Sequence, residues 1–283
     1  MTSPFHHPYM AYELRDTILS VENVSMVLGG KQILRDVNVS IRDVYRPGYT
    51  TGQIVAFLGP SGSGKTTMLR ILAGLLRPTA GNVLLGAGRT PTSRGMVGMV
   101  SQNCILFRHR TVLGNLIVAA RQKSPTITAL EARTNSLEML AKFGLTETAD
   151  QYPSQLSGGQ RQRVAISQQL LCSDHFLLTD EPFAALDYNN IQNAIKLIHE
   201  VADADELNSV VCVTHDIASA LAVADRIWIM GRERDPDGNI IPGGKILREI
   251  DLIEAGLCWC PNITELPAFR DLKREIEELW PSL

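Results

Sequence analysis

An α/β fold is predicted, with a mixed sheet, an N-terminal antiparallel β region and a helical subdomain inserted into the sheet domain. Three observations carry that prediction. Continuous apolar runs at Ile54 to Leu58, Phe176 to Leu178 and Val210 to Val213 each end in polar or glycine-rich residues. Apolar side chains recur at helical spacing after the first run (Met68, Leu69, Leu72, Leu75, Leu76) and between the other two (Ile191, Ala194, Ile195, Ile198, Val201). The stretch Leu113 to Leu156 reads as helical and lacks a convincing buried strand. Strands alternating with helices imply a largely parallel, covered sheet whose functional groups gather beyond the carboxyl ends of its strands.

Taken in order, the chain from Ile18 to Ile41 shows short apolar alternations, such as Val37, Val39 and Ile41, broken at Gly29 and Gly30, which predicts antiparallel strands joined by a turn. Ile54 to Leu58 then forms a strand, followed by a glycine-rich loop and a helix. Arg232 to Gly244, rich in charge, Pro and Gly, is expected to be an exposed turn region. Pro267 to Leu283 predicts a short amphipathic helix with Phe269, Leu272, Ile276 and Leu279 on its apolar face, packed against the same domain.

A length of 283 residues is enough for one large domain, or a core with an inserted subdomain. With 45% hydrophobic and 20% charged residues and a formal net charge of -3, there is no basic footprint for nucleic acid. The opening MTSPFHHPYM lacks the basic start and apolar run of a signal peptide, and no stretch of about 18 apolar residues occurs, so a cytosolic chain is expected. Five scattered cysteines, Cys104, Cys172, Cys212, Cys258 and Cys260, are expected to be reduced thiols. Cys258 and Cys260 flank Trp259 without nearby histidines and are expected to be a packed pair rather than a metal site.

The chemistry begins at GPSGSGKTT: Gly59, Pro60, Ser61, Gly62, Ser63, Gly64, Lys65, Thr66 and Thr67 match GxxxxGK[ST] between a strand and a helix. Glycines let backbone wrap a phosphate chain, amides and the helix N-terminus supply partial positive charge, Lys65 reaches the β/γ-phosphates, and the Thr66 hydroxyl is placed for Mg²⁺. The apolar run from Phe176 delivers two adjacent carboxylates, Asp180 to anchor a magnesium shell and Glu181 to orient or deprotonate water. In LSGGQRQR, Leu156 to Arg163, Ser157 is suited to cap a helix whose N-terminus, with Gly158 and Gly159, forms a second anion site.

With these motifs the sequence resembles the ATP-binding cassette family, whose signature is LSGGQ; the resemblance covers about Leu19 to Met230. It implies an α/β core of the P-loop NTPase type and two cassettes paired head to tail, each γ-phosphate held between one phosphate loop and the partner's signature, Ser157 to Gln160. It also implies roles for single residues. Gln102 resembles the glutamine that touches magnesium and the attacking water, His215 the switch histidine that works with Glu181, and Asp187 the aspartate that crosses the dimer interface. ATP and Mg²⁺ are the cofactors expected.

Departures from the family pattern are also present. Leu28 stands where the family usually stacks an aromatic on adenine, with Tyr45 or Tyr49 as possible substitutes. Asp43 to Thr51 is longer than the usual connection, and Gln168 stands where relatives often have arginine. None of these removes a catalytic group.

The resemblance divides the chain into a cassette domain at 17–250, with catalytic core 17–102 and 161–250, an inserted helical subdomain at 103–160, and a C-terminal extension at 251–283. It implies an ATP-hydrolysing subunit of an importer, nearest the nitrate, sulfonate and taurine type, forming a homodimer on separate transmembrane permease subunits served by a solute-binding protein. Such a subunit sits on the cytoplasmic face of the membrane, and Phe107 to Leu113 lies where the groove for a permease coupling helix is expected. The alternative is a soluble cassette ATPase of DNA repair or translation. Those relatives carry coiled-coil insertions or tandem cassettes, and this chain has neither.

Overall fold

The computed structural model describes residues 12–47, 52–101, 103–173, 175–184, 186–258, 260 and 262–283. Strands β1 (Glu13–Leu28) and β2 (Lys31–Tyr45) form a long antiparallel hairpin. Its two-residue turn is made by Gly29 and Gly30, at φ 55° and 75°, the left-handed backbone that a tight hairpin turn requires. Next come β3 (Gln53–Leu58), α1 (Lys65–Leu72), β4 (Ala80–Leu85), β5 (Thr90–Pro91) and β6 (Gly98–Val100). Helices α2 (Val112–Lys123), α3 (Ala129–Lys142) and α4 (Gly158–Cys172) follow. The rest is β7 (Phe176–Asp180), α5 (Tyr188–Ala202), β8 (Ser209–Thr214), α6 (Ile217–Val223), β9 (Arg226–Gly231), β10 (Lys245–Asp251) and α7 (Pro267–Leu279).

Two sheets result. One is antiparallel, in the order β2-β1-β4-β5, and the other runs β10-β9-β3-β8-β7-β6, parallel except for β10 against β9. Every residue of β3 and β8 is buried, which is why both read as unbroken apolar runs. Because side chains alternate along a strand, β3 serves two cores. Val55 and Phe57 meet Met68, Leu69 and Leu72 of α1 and the inner face of the hairpin; Ile54, Ala56 and Leu58 share a second core with α4, α5 and α6. Trp228 of β9 is fully buried in the first core, edge-on to Phe57 at 4.9 Å between ring centres.

Helices α2, α3 and α4 pack on one another, and α4 also touches β6, β7 and α5. Their starts are set locally: Thr111 caps α2 by accepting from the Gly114 amide, and Thr128 with Glu131 forms a capping box on α3. The expected boundary at 160/161 falls inside α4, which is continuous from the helical layer onto the sheet.

Helix α7 buries Phe269 and Ile276 and packs Leu272 and Leu279 against the core beside α6, as the sequence predicts. Arg232 to Gly244 differs from expectation. Most of it is exposed, as at Arg232, Arg234, residues 236–240 and Pro242, but its end is not: Gly243 and Gly244 are buried against other elements. Cys258 Sγ faces the Ala224 and Asp225 carbonyls at 3.8 and 3.7 Å, and burial raises its pKa far above the ordinary thiol value.

The long connection after β2 has a structural account up to residue 47. Its first residues extend the hairpin, pairing Tyr45 with Glu13, and Arg46 is buried where its charge favours the ionised carboxylates of Asp203 and Asp225. Tyr49 lies outside the described residues. Asp225 is buried, accepts from the Ile54 amide at 2.7 Å, and has its pKa pushed up to about 7 by desolvation. A carboxyl that binds its proton more tightly when folded contributes stability that is fully present below the ordinary carboxylate value and is lost as pH rises through about 7. Melting temperatures compared from pH 4 to 8 are therefore expected to fall more steeply in the wild type than in Asp225→Asn. Parallel curves would show that Asp225 titrates alike in both states.

Candidate nucleotide site

The sheet order assembles the site. Strands β3, β8 and β7 are neighbours in register, Leu58 beside Thr214 and Val213 beside Asp180. The residues that follow each strand therefore emerge side by side: the loop from Gly59, then His215, then Glu181.

The loop is shaped by close backbone approach. A Cβ on Gly59 would lie 2.1 Å from the Met230 carbonyl, and one on Gly64 would lie 2.6 Å from Leu34 Cδ2 with φ at 101°. Helix α1 starts at Lys65 with no side-chain cap and no acid in its first turn, so its N-terminal amides remain available to an anion. Lys65 is 6% exposed and folds back on the loop, its Nζ donating to the Gly59 and Pro60 carbonyls at 2.7 and 2.9 Å. Burial lowers its pKa, and the charges of Glu181 and Asp180 oppose that shift.

Thr66 Oγ1 donates to Asp180 Oδ1 at 3.2 Å, joining the loop to the carboxylates. Desolvation raises the Asp180 pKa against the Thr66 hydrogen bond. Glu181 has φ 50°, a left-handed conformation that costs a residue with a Cβ roughly 1–3 kcal/mol and is held here by its amide bond to the Val213 carbonyl. His215 Nδ1 lies 3.0 Å from both carboxylate oxygens of Glu181 and donates to them. Two residues that sequence reasoning missed hold this strand end: Asp216 caps α6 and its amide donates to Thr214 Oγ1 at 3.1 Å. The signal was a cap pattern, Asp216 before an apolar helix.

Ser157 caps α4, and its capping box with Gln160 is complete: Gln160 N donates to Ser157 Oγ at 3.2 Å and Ser157 N to Gln160 Oε1 at 2.9 Å. Gly158 and Gly159 face open space, leaving the helix start accessible. Ser157→Ala should remove about 1 kcal/mol of stability, read as a drop of a few degrees in melting temperature. An unchanged melt would mean the cap is not formed.

Among the described residues no hydrogen bond joins Ser157 to Gln160 with Gly59 to Thr67. The signature instead lines a cleft of about 750 Å³ with Asn103, Cys104, Asp180, Glu181 and Asn190. Gln102 lies outside the described residues. Asp187 caps α5, accepting from the Asn190 amide and side chain, both at 2.9 Å, and Tyr188 beside it is exposed.

Leu28, with Val27, is an exposed apolar residue at the hairpin tip. Tyr45 is no substitute for it: about 35 Å of extended strand separate Tyr45 from Leu34, which touches the loop, and its ring carries the Arg15 guanidinium at 3.6 Å. Gln168, in α4, is buried. Farther along, buried Asn115 shapes the segment after residue 102, accepting from the Phe107 amide and donating to the Phe107 and Thr111 carbonyls; Ile105 and Phe107 are left exposed.

Residues 48–184 match the ABC transporter family. The sulfate/thiosulfate import ATP-binding proteins CysA of Photorhabdus laumondii and Escherichia coli K12 are each 39% identical, over 219 and 222 residues, covering 75% and 76% of this chain. The chain spans 58% of the length of these relatives. Among solved structures, CbiO1 of Clostridium perfringens, part of the ABC transporter complex CbiONQ, superposes with a TM-score of 0.70 at 24% identity, over 94% of this chain and 98% of that one. The ATP-binding cassette MJ0796, a dimer in a post-hydrolysis state with ADP and Pi, gives 0.64 at 30% identity, over 83% and 99%.

Proposed function

The chain belongs to the ABC transporter family, and on that footing we propose that it binds and hydrolyses ATP to power import through separate membrane subunits. One observation carries the chemical half: Glu181, held by His215 at 3.0 Å, directly follows Asp180, which meets Thr66 of the phosphate loop. A water-orienting base, a metal anchor and a phosphate cradle thus share one end of the sheet, the parts that phosphoryl transfer needs.

ATP fits the uncapped α1 terminus and the close-packed loop, with Lys65 exchanging its carbonyl partners for phosphate oxygens. Leu28 gives the base an apolar wall without aromatic stacking, which discriminates little between purines. Magnesium fits as well. Thr66 Oγ1 and Asp180 are the hard oxygen donors it prefers, and among the described residues no group of three or more His, Cys, Asp or Glu side chains offers a softer site. Gln102 completes this set in the family pattern. When bound, the ion neutralises charge on the β- and γ-phosphates. Glu181 takes the proton of the attacking water, and His215 keeps the carboxylate turned toward it.

The second half of each site comes from a second cassette, the reading favoured by a signature that does not reach its own loop. A homodimer then holds two nucleotides, with Asp187 at the interface. Closure on ATP and release after hydrolysis move whatever is docked at Phe107 to Leu113, where the groove for a permease coupling helix is expected; Phe107 is exposed there. Among the described residues no helix is long and apolar enough to cross a membrane. In this reading the translocation path belongs to partner subunits, with this chain on their cytoplasmic face and a solute-binding protein supplying them. The names of the sulfate/thiosulfate import relatives support a small oxygen-bearing anion as the solute.

The test is a pull-down of tagged Glu181→Gln protein with MgATP from detergent-solubilised native membranes. Recovery of a polytopic membrane protein supports the importer. Recovery of soluble partners or nucleic acid alone moves the role to a soluble ATPase.

A further inference from the structure

The connection from β9 to β10 walls the outer side of the phosphate loop. The Met230 carbonyl abuts Gly59, and Gly244 abuts the Ser63 carbonyl so closely that a Cβ there would lie 1.8 Å from it. Between them, Arg232 Nη2 donates to the Gly62 carbonyl at 2.9 Å. The wall is itself anchored on three sides. The Gly244 amide donates to the Ile33 carbonyl at 2.8 Å, and the Gly244 carbonyl accepts from the Arg35 amide at 2.9 Å. Glu233 pairs with Arg35 and, at 3.2 Å, with Lys245. The Arg232 amide donates to the Leu283 carbonyl at 2.9 Å, tying the same residue to the turn after α7.

We infer that Arg232 is a positioning residue for nucleotide binding, acting through the Gly62–Ser63 peptide; the inference rests on the ATP-binding reading above. The Gly62 carbonyl and the Ser63 amide belong to one planar unit and point in opposite directions. Holding the carbonyl outward therefore sets the direction of the amide. That amide now makes a long 3.3 Å bond to the Pro60 carbonyl, a partner it shares with Lys65. An anion in the cradle competes for both donors at once, and a cationic donor on the far side of the peptide polarises the amide toward it. Arg232 bonds to the backbone of Gly62 and Leu283 and not to Glu181, so it should affect affinity rather than turnover.

The experiment is equilibrium binding of ADP, which needs the phosphate loop but not the second cassette, to the full chain and to Arg232→Ala and Arg232→Lys, with steady-state ATP kinetics alongside. Arg232→Ala is expected to weaken ADP about three- to tenfold and to raise KM for ATP similarly, with kcat within about twofold. Arg232→Lys keeps a charged donor and should return ADP binding to within about twofold of wild type. Wild-type protein that binds no ADP overturns the ATP-binding reading and this inference with it. Wild-type binding with an unchanged Arg232→Ala overturns the inference alone. So does equal loss in both variants accompanied by equal falls in melting temperature, which marks Arg232 as packing only.

Discussion

Glu181→Gln should bind MgATP, lose turnover by about 10²- to 10⁴-fold, and accumulate an ATP-dependent dimer. The substitution keeps the shape of the side chain and one oxygen facing His215, so the strained φ of 50° and the packing around it stay satisfied. What it removes is the ability to take a proton from water. A cassette pair that closes on ATP and opens on product release is then trapped closed, because ligand shifts an equilibrium only by its differential affinity for the two states. Phosphate release and light scattering with and without MgATP read both effects. Near-normal hydrolysis would place the base elsewhere, and full activity in a strict monomer would sink the shared site.

Lys65→Ala should weaken ATP binding by about 10- to 100-fold or more, measured with a fluorescent nucleotide. Lys65 Nζ is the donor that holds the Gly59 and Pro60 carbonyls, and among the described side chains it is the cation buried within the loop. Its loss removes the charge that meets the phosphates, takes the side-chain donor from the Gly59 carbonyl, and leaves the Pro60 carbonyl with the long bond from the Ser63 amide. Binding within twofold of wild type would show that the lysine does not reach phosphate.

The two predictions differ in how readable their residues were. Lys65 sits in a contiguous strand, loop and helix, and nine residues in a row specify what the loop holds. Ser157 and Gln160 are likewise local, since a capping box needs only its own four residues. Glu181 was legible as an acid at a strand end, but its left-handed backbone was not. Its pairing with His215 was legible only through the family resemblance, because a histidine after an apolar strand is ordinary until the neighbouring strand is known. The region 232–244 was misread at its buried end: Gly and Pro signal turns, and nothing in the sequence tells which turn packs on which loop.

By itself the sequence determined the first hairpin, strands β3, β7 and β8, helices α1, α5 and α7, the phosphate loop and the capped signature helix. Each rests on residues close along the chain, where periodicity, capping and glycine freedom act directly. Tertiary structure supplies the contacts: Glu181 with His215 across 34 positions and Thr66 with Asp180 across 114, which motif and family resemblance had implied, and Arg232 with Gly62 across 170, which they had not. Those distances are closed by the sheet order β9-β3-β8-β7. That order is set by burial of two cores at once, a property of the packed molecule that no local run of residues carries.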